Sequence, residues 1–379
     1  EQHAARTSAA AERIMVFFIS GVIDYSVSLT KITIIYCNFA HHKSLTMAEE
    51  RFSDLGRVEA IARLYEGTPY KPYRTCFFET SGKSCVSTQS RVFIEGMDFD
   101  LMYFPLRHLG YKCVTAVTGE LYAEFSHPRT MDVRIGISAK LDFEQIKEVW
   151  AGIVAAAKEH GYKDVSLDLV PSPNGLTISI SSSGETSLLM AKRRPEGKSM
   201  DLICVSGSLG AAYMGFQVLE REKRNFEEGK DQADLETYKN LVGAYLKPQI
   251  SPAVIGQMEE SEIMPSYGYL VTRGLADAVK RLVRDSGLGA KVYVDKLPFA
   301  GKTFDLGKEM NIDPISAALN GGEDYRLLFT IPIGKHDKFR HDFQTFDIIG
   351  HLAKPEVGAV IVTPDGVELP MKAQGWNND

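Results

Sequence analysis

The sequence has 379 residues, 43 Lys+Arg against 49 Asp+Glu for a net charge of −6, 44% hydrophobic residues and 24% charged residues. This composition is that of an ordinary globular protein, and it excludes collagen-like, disordered and disulfide-rich classes. The length favours two domains, and the acidic balance argues against a nucleic-acid-binding protein. The five cysteines are scattered without a C-x-x-C pair, so they indicate neither a disulfide framework nor a zinc site, and we expect a cytoplasmic location.

Residues 1–46 differ in character from the rest of the chain. An apolar stretch from Met15 to Phe39 contains Asp24 and Lys31, and charges inside such a stretch make a membrane span unfavourable. Met47 then begins a segment with a globular pattern. We interpret residues 1–46 as an upstream or non-homologous extension, with a membrane-targeting segment as the alternative, and we expect no membrane partner.

Strands and helices alternate after this extension. A capping box that begins at Asp142, followed by apolar residues at helical spacing, predicts a helix that ends near Gly161. Val165–Val170 and Leu176–Ile180 both alternate in polarity, and Pro171–Gly175 between them has turn residues. This pattern predicts a β-hairpin.

The second half of the chain continues the mixed pattern. A polar stretch, Lys192–Met200, precedes the apolar strand Asp201–Val205, and we place the domain boundary in that stretch. Leu219–Lys247 is heavily charged with apolar residues at helical intervals, which predicts a solvated helical pair. A later helix and three later strands are predicted at Leu275–Val283, Lys291–Val294, Ile348–Gly350 and Val360–Val362. Together these patterns predict a two-domain α+β protein.

Two glycine-containing segments are candidate ligand sites. Ser206–Gly210, with the sequence S-G-S-L-G between a strand and a helix, is either a phosphate site or a tight turn. Asn320–Tyr325 delivers two adjacent carboxylates before an apolar strand, and it is either a ligand or metal site or an acidic turn. Asp168 and Glu120 are each either ligands or solvated residues. No H-E-x-x-H and no G-x-S-x-G occurs, so zinc-hydrolase and serine-hydrolase chemistry is not indicated.

Five segments, in the same order, resemble the thiamine-monophosphate kinases, which share a superfamily with aminoimidazole ribonucleotide synthetase and selenophosphate synthetase. They are Ile94–Leu101, Leu109–Lys112, Val205–Gly215, Leu319–Tyr325 and Ala373–Trp376. The resemblance implies an α+β chain with the two-domain PurM-like fold: the extension 1–46, an ATP-binding mixed α/β domain 47–196 with a dimer-forming sheet, and a C-terminal α/β domain 197–379. It also implies a homodimer that uses ATP and Mg²⁺ to convert thiamine phosphate to thiamine diphosphate.

The resemblance also assigns site residues by position. It implies catalytic and metal-binding roles for Asp168 and Glu120, ATP contacts for Arg194, Thr272, Ser90 and Trp150, and substrate contacts for Asp98, Glu323 and Trp376. The remaining metal positions of the family are substituted here by Arg74, Thr75, Arg91, Leu270 and Arg273.

These substitutions reverse the charge expected at the site. Five carboxylates are lost and three arginines are gained, whereas phosphoryl transfer in the family relies on Mg²⁺ held by carboxylates. We therefore expect Mg²⁺ to be repelled and the kinase activity to be impaired. The alternative is a catalytically inactive homologue that binds nucleotide or thiamine phosphate for regulation or scaffolding, with the arginines replacing the metal. We expect Arg74, Arg91 and Arg273 to converge with Asp168 on one cleft.

Overall fold

The computed structural model describes residues 82–231 and 235–373, the backbone of Phe78–Thr80, and the separate positions Glu59, Ala62, Arg63 and Glu66. The predictions for residues 1–46 and for Arg74, Thr75 and Trp376 lie outside the described residues. In the part of the chain that the structure describes, no helix is both long enough and apolar enough to cross a membrane.

The secondary structure alternates along the chain. The strands are β1 Phe78–Thr80, β2 Ser84–Ile94, β3 His127–Ser138, β4 Asp164–Ser172, β5 Thr177–Ser187, β6 Leu202–Ser206, β7 Gly268–Val271, β8 Gly289–Tyr293, β9 Arg326–Ile331, β10 Phe346–Ala353, β11 Ala359–Val362 and β12 Glu368–Pro370. The α-helices are α1 Leu106–Ala123, α2 Phe143–Glu159, α3 Leu188–Arg193, α4 Ala211–Glu227, α5 Lys239–Leu246, α6 Val254–Glu260, α7 Leu275–Ser286, α8 Thr303–Met310, α9 Pro314–Ser316 and α10 His336–Asp342.

In the part of the chain that is described, the first sheet has five strands in the order β1-β2-β5-β3-β4. The predicted strands Val165–Val170 and Leu176–Ile180 are present as parts of β4 and β5, but the predicted hairpin is wrong. Strand β3 lies between them, antiparallel to β5 and parallel to β4. Alternation in polarity identifies a strand and its faces, but it does not identify the neighbouring strand.

Helix α2 forms where its capping box predicts it. The Asp142 carboxylate accepts the backbone N–H of Gln145, and the Gln145 side chain accepts the backbone N–H of Asp142, each at 2.9 Å. The apolar positions Ile146, Val149 and Ile153 are buried. The helix ends at Glu159, just before Gly161, which has a positive φ of 75°.

Seven of the described strands form the second sheet, in the order β12-β11-β8-β10-β6-β9-β7. It contains the predicted strands at Asp201–Val205, Lys291–Val294, Ile348–Gly350 and Val360–Val362. The predicted helical pair within Leu219–Lys247 corresponds to the C-terminal part of α4 and to α5, but it is not wholly solvated. Leu241 and Tyr245 of α5 are buried, at 1% and 3% exposure.

Helix α1 lies between the two sheets and positions the site. Fourteen of its 18 residues are buried. Its apolar side chains belong to a core cluster that also includes Val133 and Ile135 of the first sheet and Leu270 and Phe329 of the second. The described residues belong to one compact unit. Because the sheets comprise residues 78–187 and 202–370, we propose 47–196 and 197–379 as the two domains.

Candidate functional site

A pocket of about 240 Å³ lies between β2, α1 and the start of α7. Strand β2 contributes Arg91 and its two preceding residues, α1 contributes Glu120, and the turn after β7 contributes Thr272 and Arg273. Arg281 reaches the pocket from α7. The structure therefore brings together five predicted site residues: Arg91, Ser90, Glu120, Thr272 and Arg273.

The pocket is rich in positive charge. Among the described residues, three arginines line it and Glu120 is the only carboxylate that does so. Burial raises the pKa of Glu120, while Arg281 and Arg91 act in the opposite direction. No ion pair within 4.0 Å includes Glu120 among the described residues. The guanidinium groups of Arg91, Arg273 and Arg281 line the cavity, and groups of this kind bind anions such as phosphate.

Arg91 connects this pocket to the carboxylates at the predicted substrate positions. Its Nη2 lies 3.5 Å from Glu323 Oε1 and 3.8 Å from Asp98 Oδ1. Burial acts to lower the pKa of Arg91, but Tyr325, Glu323 and Asp98 outweigh it and the pKa is raised. For Asp98, burial raises the pKa against the effect of the Ile94 N–H, which donates to Oδ2 at 2.9 Å.

Lys112 is a buried cation that contacts the same glutamate. Its Nζ lies 2.7 Å from Glu323 Oε2, and the side chain is 3% exposed. Three aromatic rings surround Nζ: Tyr245 at 3.8 Å, Phe104 at 5.2 Å and Tyr325 at 5.6 Å from their centroids. Burial lowers the pKa of Lys112. It acts to raise the pKa of Glu323, but Lys112 and Arg91 outweigh it and the pKa of Glu323 is lowered.

The backbone that carries Glu323 is strained. Glu323 and Tyr325 have φ values of +63° and +50°, in the left-handed region that non-glycine residues rarely adopt. Their backbone N–H groups donate to the carbonyls of Thr272 and Val271 at 2.8 and 2.9 Å. These bonds hold the strained turn next to the pocket, in the manner typical of binding sites.

The segment Ser206–Gly210 is a tight turn whose helix terminus is already occupied. The Asp324 carboxylate accepts the N–H groups of Gly210 at 2.8 Å and Ala212 at 3.2 Å, at the N-terminus of α4. Asp324 is 4% exposed, and burial raises its pKa to about 7. The turn interpretation therefore fits, because a protein carboxylate takes the place a phosphate would occupy.

Asp168 does not lie at the pocket. On β3, Val133 and Ile135 face the core that contains α1, and Arg134 between them faces the other side of the sheet. Asp168 is paired in register with Arg134, and its Oδ2 lies 3.7 Å from Arg134 Nε, with the Asp168 side chain 62% exposed. Within one chain, Asp168 and Glu120 are on opposite faces of the sheet. The expected convergence of Asp168 with Arg91 and Arg273 is not observed.

Three further residues to which the sequence assigned a role lie outside the pocket and make contacts elsewhere in the fold. Arg194 donates to Glu124 Oε2 at 3.2 Å and to the carbonyl of Ser266 at 3.1 Å. Trp150 is partly buried on α2 against the core. Leu270 is fully buried on β7, where its methyl groups lie 2.6 Å from the place of a Cβ at Gly119. An apolar contact between α1 and β7 thus occupies the position where the resemblance places a metal ligand.

The residues present do not fit Mg²⁺. This ion prefers several oxygen ligands in octahedral geometry. Glu120 is a single carboxylate among three arginines, and the described residues include no group of three His, Cys, Asp or Glu side chains that could hold a metal.

Two residues of the site, Lys112 and Arg281, were given no role from the sequence. Lys112 had a detectable signal, because it is a lone charge in an otherwise apolar helical run, and lysine is rarely buried unless it is paired. Arg281 lies in a charged helix in which nothing distinguishes it from solvated neighbours. It contacts Asp277 Oδ2 at 3.0 Å and the Leu270 carbonyl at 3.0 Å.

Comparisons with known proteins agree with this architecture. No family model matches the chain. The thiamine-monophosphate kinase of Aquifex aeolicus is 24% identical over 297 residues, which cover 77% of this chain and 90% of that protein. The corresponding protein of Pyrococcus horikoshii is 26% identical over 281 residues, which cover 71% and 78%.

The similarity extends to a solved structure. AaThiL complexed with AMPPCP and TMP superposes with a TM-score of 0.71 at 20% identity, covering 88% of this chain and all of that one, which shows a common fold. The resemblance predicted from the sequence is thus confirmed: the chain is a relative of the thiamine-monophosphate kinases and has the PurM-like fold.

Proposed function

We propose that this protein binds ATP and thiamine phosphate at the arginine-lined pocket and the carboxylates beside it. We propose further that it carries out the family reaction, ATP and thiamine phosphate to ADP and thiamine diphosphate, at a strongly reduced rate. The observation that carries the proposal is Arg91, which lines the pocket and also pairs with Glu323 and Asp98. The names of the relatives and the AMPPCP and TMP bound by AaThiL support the choice of ligands.

The reduced rate follows from the charges at the pocket. Two unit charges 4 Å apart interact by roughly 4 kcal/mol at an effective dielectric of 20. Arg91, Arg273 and Arg281 therefore disfavour a divalent cation, and Glu120 is the one carboxylate among the described lining residues. The nearby carboxylates Glu323, Asp98 and Asp277 are already paired with Arg91 or Arg281. The same guanidinium groups neutralise phosphate, so binding of the nucleotide is retained while the electrostatic support that metal ions give to phosphoryl transfer is lost.

A test of turnover measures thiamine diphosphate formed with excess Mg²⁺. We expect little product from the unmodified chain and more from a variant carrying Arg91→Asp and Arg273→Asp, which restores two carboxylates. Lys147→Asp, which makes the same change of charge at an exposed position on α2, is the matched control and should have no effect. Fast turnover by the unmodified chain would contradict the proposed impairment.

The second candidate is a non-catalytic protein that binds nucleotide without a metal, and the three guanidinium groups around one cavity favour it. Calorimetry with ATP, with and without EDTA, tests this candidate. We expect equal affinity in both conditions and weaker binding by Arg273→Gln, with Arg134→Gln as the control for a lost charge. Binding that disappears with EDTA would exclude the arginine mechanism.

We also propose a homodimer in the cytoplasm. Strand β4 is at the edge of the first sheet, and the apolar residues Leu169 and Val170 on it are 48% and 46% exposed. An exposed edge of this kind is suited to pairing with a second copy. Sedimentation of the protein and of a Leu169→Lys variant tests the dimer, which should dissociate in the variant.

The buried thiols Cys85, Cys113 and Cys204 are consistent with a reducing compartment.

A further inference from the structure

Arg326 differs from the other arginines that are shielded from solvent. Five arginines with side chains at most 22% exposed each have a carboxylate within 4.0 Å: Arg91, Arg194, Arg221, Arg281 and Arg284. Arg326, at the start of β9, is partly buried, yet among the described residues no carboxylate oxygen lies within 4.0 Å of it. Burial lowers the pKa of its guanidinium, and Asp324 compensates only in part.

The guanidinium of Arg326 is held in place by the turn before α4. Its Nε donates to the Ser208 carbonyl at 3.1 Å, which leaves four N–H donors of the guanidinium for other partners. A Cβ at Gly207 would lie 3.1 Å from Cζ of Arg326, so the guanidinium packs directly on the glycine backbone. The position of the charge is therefore fixed by main-chain contacts.

A second pocket of about 310 Å³ surrounds this guanidinium. Its polar lining consists of hydroxyl and amide side chains, namely those of Ser206, Gln249, Ser251, Gln257 and Thr345. None of the described residues that line it is acidic. Ser206 Oγ accepts the N–H of Leu327 at 2.9 Å, so its own hydrogen can be donated to a ligand.

We propose that this second pocket binds a phosphate group, either as inorganic phosphate or as the phosphate of a small monoester. The planar fork of arginine matches phosphate oxygens bidentately, and the surrounding hydroxyl and amide groups supply further donors. The volume is at the lower end of the range for small-molecule sites and suits a ligand smaller than a nucleoside triphosphate. The described residues that line the two pockets do not overlap, so this site is independent of the proposed function.

The experiment is calorimetric titration with inorganic phosphate and, separately, with glycerol 3-phosphate. It is carried out on the full chain carrying Arg273→Gln, which weakens phosphate binding at the first pocket, and any binding that remains there is insensitive to substitutions in the second pocket. We expect one site in this parent protein. Tighter binding of the monoester assigns a phosphate ester as the ligand, and equal binding assigns free phosphate.

Added substitutions then locate the site. Gln257 is exposed on α6, and Gln257→Glu supplies an internal counter-ion for Arg326 without altering the core. We expect it to weaken binding by at least about tenfold, since hydrogen bonds to charged groups contribute about 1.5–3 kcal/mol and 1.4 kcal/mol is a factor of ten. The matched variant Gln257→Ala keeps the positive charge and should weaken binding by only about threefold.

Arg326→Gln should abolish binding. Absence of phosphate binding in the parent, or affinity unchanged by both Gln257→Glu and Arg326→Gln, would overturn the proposal. Circular dichroism of each variant confirms that it is folded. Because Gln257→Glu changes a surface residue, it keeps the test valid if Arg326→Gln does not fold.

Discussion

Replacing Lys112 with methionine removes one charge from a buried ion pair and leaves its partner in place. Methionine retains much of the lysine stem, so the contacts with Phe104, Tyr245 and Tyr325 are largely kept. Breaking a buried pair in this way typically costs about 3–5 kcal/mol. Here Glu323 still has Arg91 at 3.5 Å and is 24% exposed, so solvent and Arg91 reduce the cost. We expect the free energy of unfolding to fall by about 2 kcal/mol at pH 7.

The same change has a defined pH dependence. In the unmodified protein the pKa of Glu323 is below its ordinary value of 4.5, so the pair stabilises the fold above pH 4.5 and that stability is lost as the pH falls. In Lys112→Met, burial is opposed by Arg91 and by the Tyr325 hydroxyl, which donates to Glu323 Oε2 at 3.3 Å, but no longer by Lys112, and the pKa of Glu323 rises. Acidification then neutralises a poorly compensated charge. We expect the difference in stability between the two proteins to shrink to less than about 1 kcal/mol at pH 4.

Urea unfolding followed by circular dichroism at pH 7 and pH 4 measures both effects. The double variant Lys112→Met, Glu323→Gln should recover part of the lost stability, because an amide is cheaper to bury than an unpaired carboxylate. Lys147→Met, which removes an exposed pair with Glu144, is the control and should cost less than about 0.5 kcal/mol. A loss that is equal at both pH values and unrelieved by Glu323→Gln would refute the reasoning.

Three further outcomes concern the framework that holds the site. Gly152→Ala would place a Cβ 1.9 Å from the carbonyl oxygen of Arg107, so we expect α1 and α2 to separate at a cost of about 3 kcal/mol in urea unfolding. Asp142→Ala removes the capping box of α2 and should cost about 1 kcal/mol, seen as a lower thermal midpoint. Asp324→Asn should flatten the pH profile: the raised pKa of about 7 means that Asp324 favours folding below pH 3.8 and loses that contribution as the pH rises through 7. A stability difference between the asparagine variant and the parent that does not change from pH 4 to pH 8 would contradict this assignment.

The sequence predicted local structure better than the pairing of distant elements. The capping box at Asp142 identified α2 because all its determinants lie within four residues. The neighbours of β4 and β5 could not be predicted from alternation, since β3 enters the sheet from about 40 residues earlier in the chain.

For the site, the positions in the sequence predicted which residues line one pocket, but they did not predict which face of the sheet each side chain occupies. Arg91 and Arg273 were expected together and line one pocket, whereas Asp168 faces away because a strand exchanges faces at every residue. The adjacent carboxylates Glu323 and Asp324 were interpreted either as a ligand or metal site or as an acidic turn. Consecutive residues at a strained turn point apart, so Glu323 contacts Lys112 while Asp324 contacts the terminus of α4.

The contacts of Glu323 have a consequence for how ligands enter. Arg91 belongs to the first sheet, Lys112 to the helix between the sheets, and Glu323 to the turn before the second sheet. A hinge movement that separated the sheets would pull this carboxylate away from two cations at once. Opening of the two halves would break both ion pairs, whereas an exchange of ionic partners at Arg91 leaves the pair between Lys112 and Glu323 in place. An anion that reaches Arg91 competes with Glu323, so the strength of binding and the cohesion between the sheets are coupled through a single guanidinium group.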